Sequence, residues 1–198
     1  MRDYYEELWQ RLPADLAPPE WELRRGFLLG ELRPGERALD LGCGAGEFTA
    51  VMAEAGAVAV GADVAESALK RARSRYPELA FRLTAIDGPL PFEDNAFDVV
   101  WASEVIEHVA DTARWLSEVI RVLVPRGRLL LTTPDHGRLR VALEGLERLS
   151  DPLGDHLHLY TRRSLQRLLG EFGFTQIEVR QAGGFPLLRH LILARAVR

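Results

Sequence analysis

From about residue 36 onward, short apolar runs typical of strands alternate with stretches that have the spacing of amphipathic helices. Because parallel strands are joined by helical crossovers, this alternation predicts an α/β fold built on a parallel sheet. The predicted strands are, in chain order, RALDLG, AVAVGADV, LAFRLTAI, FDVVWA and GRLLLTTP. The predicted helices are EFTAVMAEAG, AESALKRARSRY and TARWLSEVIRVLV, which give the order β-α-β-α-β-β-α-β.

The segment before the first strand predicts a helical cap over residues 1–33. In it, PEWELRRGFLLGEL reads as a helix that stops at RPGE. The piece that precedes this helix carries Tyr4, Tyr5 and Trp9 and is also amphipathic. We expect it to cover the mouth of the sheet.

The segments after the fifth strand predict a lid and a closing unit. Residues 135–160 are long for a plain connection, and connections of that length tend to be functional. Residues 161–198 begin with a helix that Thr161 caps and that ends at Gly173. FTQIEVRQ and LILARAVR then read as a hairpin-like pair of strands.

Composition narrows the class of protein. A chain of 198 residues with 47% hydrophobic content can bury one full core, which suits a single domain. Its apolar runs are shorter than a membrane span, and its acidic, aromatic start does not resemble a signal peptide. Cys43 is the only cysteine and the net charge is −4, so we expect a cytoplasmic protein that does not bind nucleic acid.

A glycine-rich turn joins the first predicted strand to the first helix, where open α/β sheets bind nucleotides. In LDLGCGAGEF, Gly42, Gly44 and Gly46 are spaced G-x-G-x-G, whereas the dinucleotide fingerprint is G-x-G-x-x-G. Asp40 would lie beside the turn, where it repels a pyrophosphate and attracts an ammonium or sulfonium group. The alternative is an ordinary glycine-rich β-α turn.

Acidic residues end the next two strands. Asp63 follows Gly42 by 21 residues, a position from which a carboxylate can accept hydrogen bonds from ribose hydroxyls, although it could instead cap the following helix. Asp87 would lie near an adenine amino group or simply form an Asp-Gly turn. Asp98 begins its strand and therefore belongs to the opposite edge of the sheet, outside the site.

Taken together, LDLGCGAG, GADVAESAL, TAIDGPLPF, FDVVWASEVIEHV and EVIRVLVPRGRLLLTTP resemble class I S-adenosylmethionine-dependent methyltransferases of the small-molecule type, similar to the methyltransferase type 11 group. The resemblance runs from about residue 35 to 181 and implies a Rossmann-like, doubly wound, seven-stranded sheet with an antiparallel last strand. It makes residues 34–134 the cofactor-binding half. One departure is VPRG, which stands where this family usually has a Pro-Gly-Gly turn.

The resemblance also assigns residues to the cofactor, S-adenosylmethionine. It places the methionine end at Asp40 and the three glycines, the ribose at Asp63, and the adenine at Ile86 and Asp87. The full predicted cofactor site is Asp40, Gly42, Cys43, Gly44, Gly46, Asp63, Val64, Ile86, Asp87 and Ser103.

SEVIEH follows the central strand FDVVWA, so Ser103 and Glu104 should emerge beside the glycine turn and the reactive methyl group. If the segment is helical, Glu104, Glu107 and His108 share one face. That face could line an acceptor pocket, face solvent, or bind a divalent metal such as magnesium or manganese.

A metal site would need a further imidazole, which GDHLHLYT offers at His156 or His158. EVIEHV is similar to a segment that ligates metal in ubiquinone-pathway O-methyltransferases and in enzymes that methylate the terminal ribose of small RNAs; in the second group the match favours His156. The same segment is also common in metal-free small-molecule methyltransferases. Our site prediction therefore includes no metal and keeps the metal site as an alternative.

We predict His108 and Glu104 as the catalytic residues of methyl transfer to an O, N or C nucleophile of a small molecule. If the acceptor is a hydroxyl, His108, His156 and His158 are candidate general bases. A noncatalytic regulatory protein that binds the same cofactor and a nicotinamide-dependent oxidoreductase are the alternative functions. The acceptor and the oligomeric state are not evident from the sequence.

Overall fold

The computed structural model describes residues 2–13, 18–86, 88–137, 156–184 and 189–198. Its centre is a seven-stranded sheet with the strand order β3-β2-β1-β4-β5-β7-β6. The strands are β1 Arg37–Leu41, β2 Val58–Asp63, β3 Ala80–Leu83, β4 Phe97–Ser103, β5 Leu123–Pro134, β6 Thr175–Ala182 and β7 Leu191–Val197. The strand pairings of β1 to β5 are parallel, and β7 is antiparallel to both β5 and β6. The prediction of a mixed sheet with an antiparallel last strand is confirmed.

Helices cover both faces of this sheet. They are α1 Arg2–Arg11, α2 Trp21–Glu31, α3 Glu47–Glu54, α4 Glu66–Arg75, α5 Thr112–Val122 and α6 Arg162–Glu171, with a 3-10 turn at Ile106–His108. The apolar sides of α5 and α6 pack into one buried cluster with strands β1, β4, β5 and β7. Helices α2 and α3 pack into another, which surrounds Trp101 of β4. The sheet is therefore doubly wound, as expected.

Local sequence signals account for the ends of two helices. The Asp111 carboxylate accepts a hydrogen bond from the Arg114 N–H at the start of α5. Thr161 and Ser164 form a capping box at the start of α6, which confirms Thr161 as the predicted cap. The segments flanking the apolar patterns thus set where these helices begin.

Two predicted boundaries differ from the structure. Strand β3 ends at Leu83, although the Thr84 N–H still donates to the Asp63 carbonyl of β2, and the predicted last residues of the strand, up to Ile86, lie outside it. Helix α5 ends at Val122, and the VPRG segment lies within β5 as an irregularity: Leu123 pairs with Phe97 and Arg128 pairs with Val99. Apolar periodicity alone did not reveal this early change from helix to strand.

Asp98 lies at the amino edge of the sheet, as predicted, where its carboxylate accepts hydrogen bonds from the backbone and the guanidinium of Arg37. The ion pair between Arg37 and Asp98 joins the start of β1 to the start of β4, on the edge opposite the glycine turn. Among the described helices, none has the length and apolar content to span a bilayer.

Candidate functional site

A cavity of about 360 Å³ opens at the carboxyl edge of the sheet. Its wall includes Gly42 after β1, Asp63 at the end of β2, and Ser103, Glu104 and His108 at and after the end of β4. Pockets of a few hundred cubic ångströms at this edge are the usual ligand sites of open α/β sheets. The fold therefore brings predicted residues from three separate strands into one cavity.

The glycine turn approaches its neighbours too closely to carry side chains. Gly42 has φ +80°, and a Cβ built on it would overlap Cγ2 of Val105. Gly44 has φ +53°, and a Cβ there would lie 2.6 Å from Cζ2 of Trp9. Both the left-handed backbone and the lack of space require glycine at these positions.

The acid predicted to lie beside the turn lies under it instead. The Asp40 side chain is 2% exposed and accepts a 2.6 Å hydrogen bond from the Thr49 hydroxyl. Burial raises the pKa of Asp40 to about 7, and the Thr49 hydrogen bond offsets only part of this effect. The described residues that line the cavity do not include Asp40, Cys43, Gly44 or Gly46.

Asp63 lines the cavity and also stabilises the turn. One carboxylate oxygen accepts a hydrogen bond from the Gly44 N–H and the other from the Ala65 N–H, both at 2.9 Å. Burial is the main cause that raises the pKa of Asp63, although these backbone hydrogen bonds oppose it. Val64 and Ile86 also line the cavity, whereas Asp87 lies outside the described residues.

The alternative in which Asp63 caps α4 is wrong. The Glu66 and Ser67 N–H groups at the start of that helix donate to the two carboxylate oxygens of Glu6, at 2.6 and 2.9 Å. Glu6 belongs to α1, so the cap comes from about sixty residues earlier in the chain. The one sequence signal for such an arrangement is that the N-cap residue, Ala65, has no side-chain acceptor.

Helix α1 covers the cavity, as predicted for the aromatic N-terminal piece. Tyr4, Tyr5 and Trp9 all form part of the wall. The Arg71 guanidinium of α4 lies over the Trp9 ring at 5.9 Å and donates to the Leu12 carbonyl at 2.7 Å. Together with the Glu6 cap, these contacts attach the middle and the C-terminal end of α1 to α4.

The predicted helical face of SEVIEH does not form. Glu104 has φ +56° and precedes the 3-10 turn, so it does not share a helical face with Glu107 and His108. The Glu104 carboxylate forms an ion pair with Arg24 at 3.1 Å and accepts a 3.0 Å hydrogen bond from the Thr132 hydroxyl. Burial raises the pKa of Glu104, and the positive charge of Arg24 counteracts part of that rise.

Arg24 is a site residue that sequence reasoning missed. Its side chain is 4% exposed although it lies in the charged stretch WELRRG of α2, where an arginine would be expected to face solvent. No local pattern identifies it, because its partner Glu104 comes from the end of β4.

The side chains of Glu107 and His108 in the 3-10 turn have different surroundings. Glu107 is fully buried and accepts a 2.9 Å hydrogen bond from the Thr133 hydroxyl, whereas His108 lines the cavity. Burial, and then the neighbouring charge of Glu104, raise the pKa of Glu107 well above its usual value. The His156 ring lies 5.1 Å from that of His108, while His158 contacts the Val109 carbonyl through Nε2 at 3.0 Å.

The lining charges are mainly acidic. The described lining residues include four carboxylates and one guanidinium, namely Asp63, Glu104, Asp111, Glu118 and Arg114. Glu104 pairs with Arg24 and Glu118 with Arg121, whereas Asp63 is held by backbone N–H groups. The cavity therefore suits a ligand with hydroxyl donors or a positive charge near Asp63 better than a pyrophosphate.

Comparison with known proteins shows that this chain is similar to methyltransferases. A family model described as a methyltransferase domain matches residues 4–179. A demethylmenaquinone methyltransferase of Tropheryma whipplei (strain Twist) is 34% identical over 130 residues, which are 64% of this chain and 53% of the relative. A glycine/sarcosine/dimethylglycine N-methyltransferase of Actinopolyspora halophila is 31% identical over 189 residues, 91% of this chain and 31% of the relative. The chain thus spans about half or less of these relatives.

The fold has a matching solved structure. An S-adenosylmethionine-dependent methyltransferase from Mesorhizobium loti superposes with a TM-score of 0.72 at 25% sequence identity. The superposition covers 94% of this chain and all of the other chain. The two chains therefore share the same overall fold.

Proposed function

Because this chain belongs to the methyltransferase domain family, we propose that it transfers a methyl group from S-adenosylmethionine to a small-molecule acceptor. The observation that carries the proposal is one cavity whose wall combines Gly42, Asp63, Ser103 and His108 at the carboxyl edge of the sheet. The attacking atom of the acceptor is an oxygen, nitrogen or carbon nucleophile.

The wall formed by β1 and β2 fits this cofactor. The Asp63 carboxylate uses two of its acceptor sites on backbone N–H groups and has capacity left for two ribose hydroxyls. Val64 and Ile86 would contact the adenine from the same wall. Gly42 and Val105, which packs into the space that a side chain at residue 42 would fill, both line the cavity and would contact the methionine portion.

We assign the remaining predicted cofactor residues to two groups. Asp40, Cys43, Gly44 and Gly46 would act by shaping the turn, since the described lining of the cavity does not include them. Asp87 stays a predicted adenine contact.

The cofactor supplies a methyl group that its sulfonium already activates, so the chain has to align the acceptor and exclude water. Tyr4, Tyr5 and Trp9 of α1 would exclude water by covering the cavity. When no metal ion is bound, His108 would accept a proton at a ring nitrogen from a neutral acceptor. Glu104, held by Arg24 and Thr132, would orient the acceptor rather than take its proton.

A cytoplasmic location is part of this proposal. Cys43 is a free, buried thiol, in keeping with a reducing compartment.

The test is a transfer assay with methyl-labelled S-adenosylmethionine and a pool of small metabolites. We expect a labelled small-molecule product that is lost with Asp63→Ala, together with calorimetric binding of S-adenosylhomocysteine and none of NADH. Tight cofactor binding without any labelled product would contradict methyl transfer and favour a noncatalytic regulatory protein. Binding of NADH in place of S-adenosylhomocysteine would contradict the cofactor assignment.

A further inference from the structure

We propose that Glu107, His108 and His156 bind one divalent transition-metal ion beside the cavity. One oxygen of the carboxylate and one ring nitrogen of each histidine all lie within 4.8 Å of one another. Glu107 Oε1 is 3.9 Å from His108 Nε2. Three such atoms need to move by only about an ångström to bind one ion at the about 2.0–2.2 Å typical of zinc with nitrogen and oxygen ligands.

The Glu107 carboxylate provides a second, independent observation. Its side chain is fully buried, and Oε1 has no hydrogen-bond partner among the described residues. The other oxygen is held by the Thr133 hydroxyl, which fixes the direction in which Oε1 points. Since buried polar atoms are almost always paired, an oxygen left in this state beside two imidazoles indicates a bound cation.

Backbone hydrogen bonds bring His156 to this place. The N–H groups of Leu157 and His158 both donate to the Glu107 carbonyl, at 2.8 and 3.1 Å. The last residues of the predicted lid, of which 138–155 lie outside the described residues, are thereby attached to the 3-10 turn, with the His156 ring 5.1 Å from that of His108. His158 contacts Val109 instead, so of the two predicted histidines the geometry selects His156.

The ligand set differs from the one that the sequence predicts as an alternative. Glu104 is outside it, because its carboxylate pairs with Arg24 and Thr132. Two imidazoles and one carboxylate suit zinc, manganese or iron(II) better than magnesium or calcium, and zinc should bind more tightly than manganese.

Three protein ligands leave a coordination position open, as in catalytic zinc sites. Because His108 lies in the cavity wall, this position would be accessible from the cavity. If the proposed methyl transfer holds, an oxygen of the acceptor would occupy it and become more acidic, with His108 acting as a ligand instead of a proton acceptor. The metal site itself does not depend on that activity.

The experiment uses untagged full-length protein that has been treated with a chelator. Titration with zinc chloride and with manganese chloride by calorimetry, followed by elemental analysis after desalting, should show about one ion per chain, with zinc bound more tightly. A wild-type protein that retains neither metal would overturn the proposal, whatever the result of the methyl-transfer assay.

Paired variants test the ligand set. His156→Gln and Glu107→Gln should each weaken zinc binding by about 100-fold or more, which is a larger loss than removing a residue that only hydrogen-bonds to a ligand would cause. The control His158→Gln should change zinc affinity by less than about threefold. If Glu107→Gln does not fold, judged by circular dichroism, the comparison of His156→Gln with His158→Gln decides. Equal zinc affinity of these two histidine variants would reject His156 as a ligand. With cobalt(II) as the probe, the visible absorption bands of the wild type should disappear only in the variants of proposed ligands.

Discussion

Gly42 shows how one residue can be required by two independent constraints. Its φ of +80° lies in the left-handed region, and Val105 from the segment after β4 occupies the space that a side chain would fill. Gly35 has nearly the same φ, +82°, but nothing lies within 4 Å of a Cβ built on it. A comparison of substitutions at Gly42 and Gly35 therefore separates the cost of the left-handed backbone from the cost of crowding against Val105.

We predict that Gly42→Ala lowers the free energy of unfolding more than Gly35→Ala does. Both variants should lose about 1–2 kcal/mol through the left-handed backbone, and Gly42→Ala a further about 1–3 kcal/mol through overpacking against Val105. Urea denaturation measures both. Adding Val105→Ala to Gly42→Ala should remove the clash, so a double variant whose overpacking cost persists would contradict this explanation.

At the scale of elements, the main feature of the site is the attachment of α1 to α4. Glu6, in the middle of α1, caps the N-terminus of α4, where the N–H groups of Glu66 and Ser67 lack a local acceptor. Arg71 of α4 donates to the Leu12 carbonyl at the C-terminal end of α1. Because α1 forms one wall of the cavity, the same contacts control how firmly the cavity is covered. Capping of this helix and retention of a ligand are thereby linked.

We predict that Glu6→Ala speeds the release of S-adenosylhomocysteine. Loss of a helix cap costs about 1 kcal/mol, which corresponds to a roughly fivefold faster release if α1 must detach first. Stopped-flow measurement of tryptophan fluorescence can follow this release, since Trp9 lies in the wall. Glu7→Ala is the matched control, because Glu7 is exposed and pairs with Arg11 of its own helix. Equal release rates for the two variants would argue against attachment through Glu6.

The whole molecule contains a set of buried acids beneath and beside the cavity. Burial raises the pKa values of Asp40, Asp63, Glu104 and Glu107. In the folded protein the Asp40 carboxyl keeps its proton up to about pH 7, whereas in the unfolded chain it loses that proton above about pH 4. Raising the pH through this window therefore favours the unfolded state.

We predict that the free energy of unfolding of the wild type falls relative to that of Asp40→Asn between about pH 4 and pH 7, and that the difference is constant above that range. The slope should approach about 1.4 kcal/mol per pH unit, the value for one proton held only by the folded state. Urea denaturation of the ligand-free proteins at several pH values measures it. A difference between the two proteins that does not vary with pH would show that Asp40 titrates normally.

Much of the architecture was predictable because it depends on neighbouring residues. The alternation of apolar runs, the Thr161 cap and the glycine turn each report the conformation of a short segment. The predictions for SEVIEH were weaker. The single helical face is wrong because Glu104 adopts a left-handed backbone before a 3-10 turn.

The sequence by itself determined the doubly wound sheet and the edge of it at which Gly42, Asp63 and Ser103 meet. Only the tertiary structure decided that Asp40 lies beneath the turn, that Arg24 pairs with Glu104, and that His156 rather than His158 lies against His108. The physical reason is that a buried charged or polar group is stabilised by a partner, and these partners come from segments far away in the chain. Local patterns carry no information about such partners, whereas the packing of helices and loops on the finished sheet selects them.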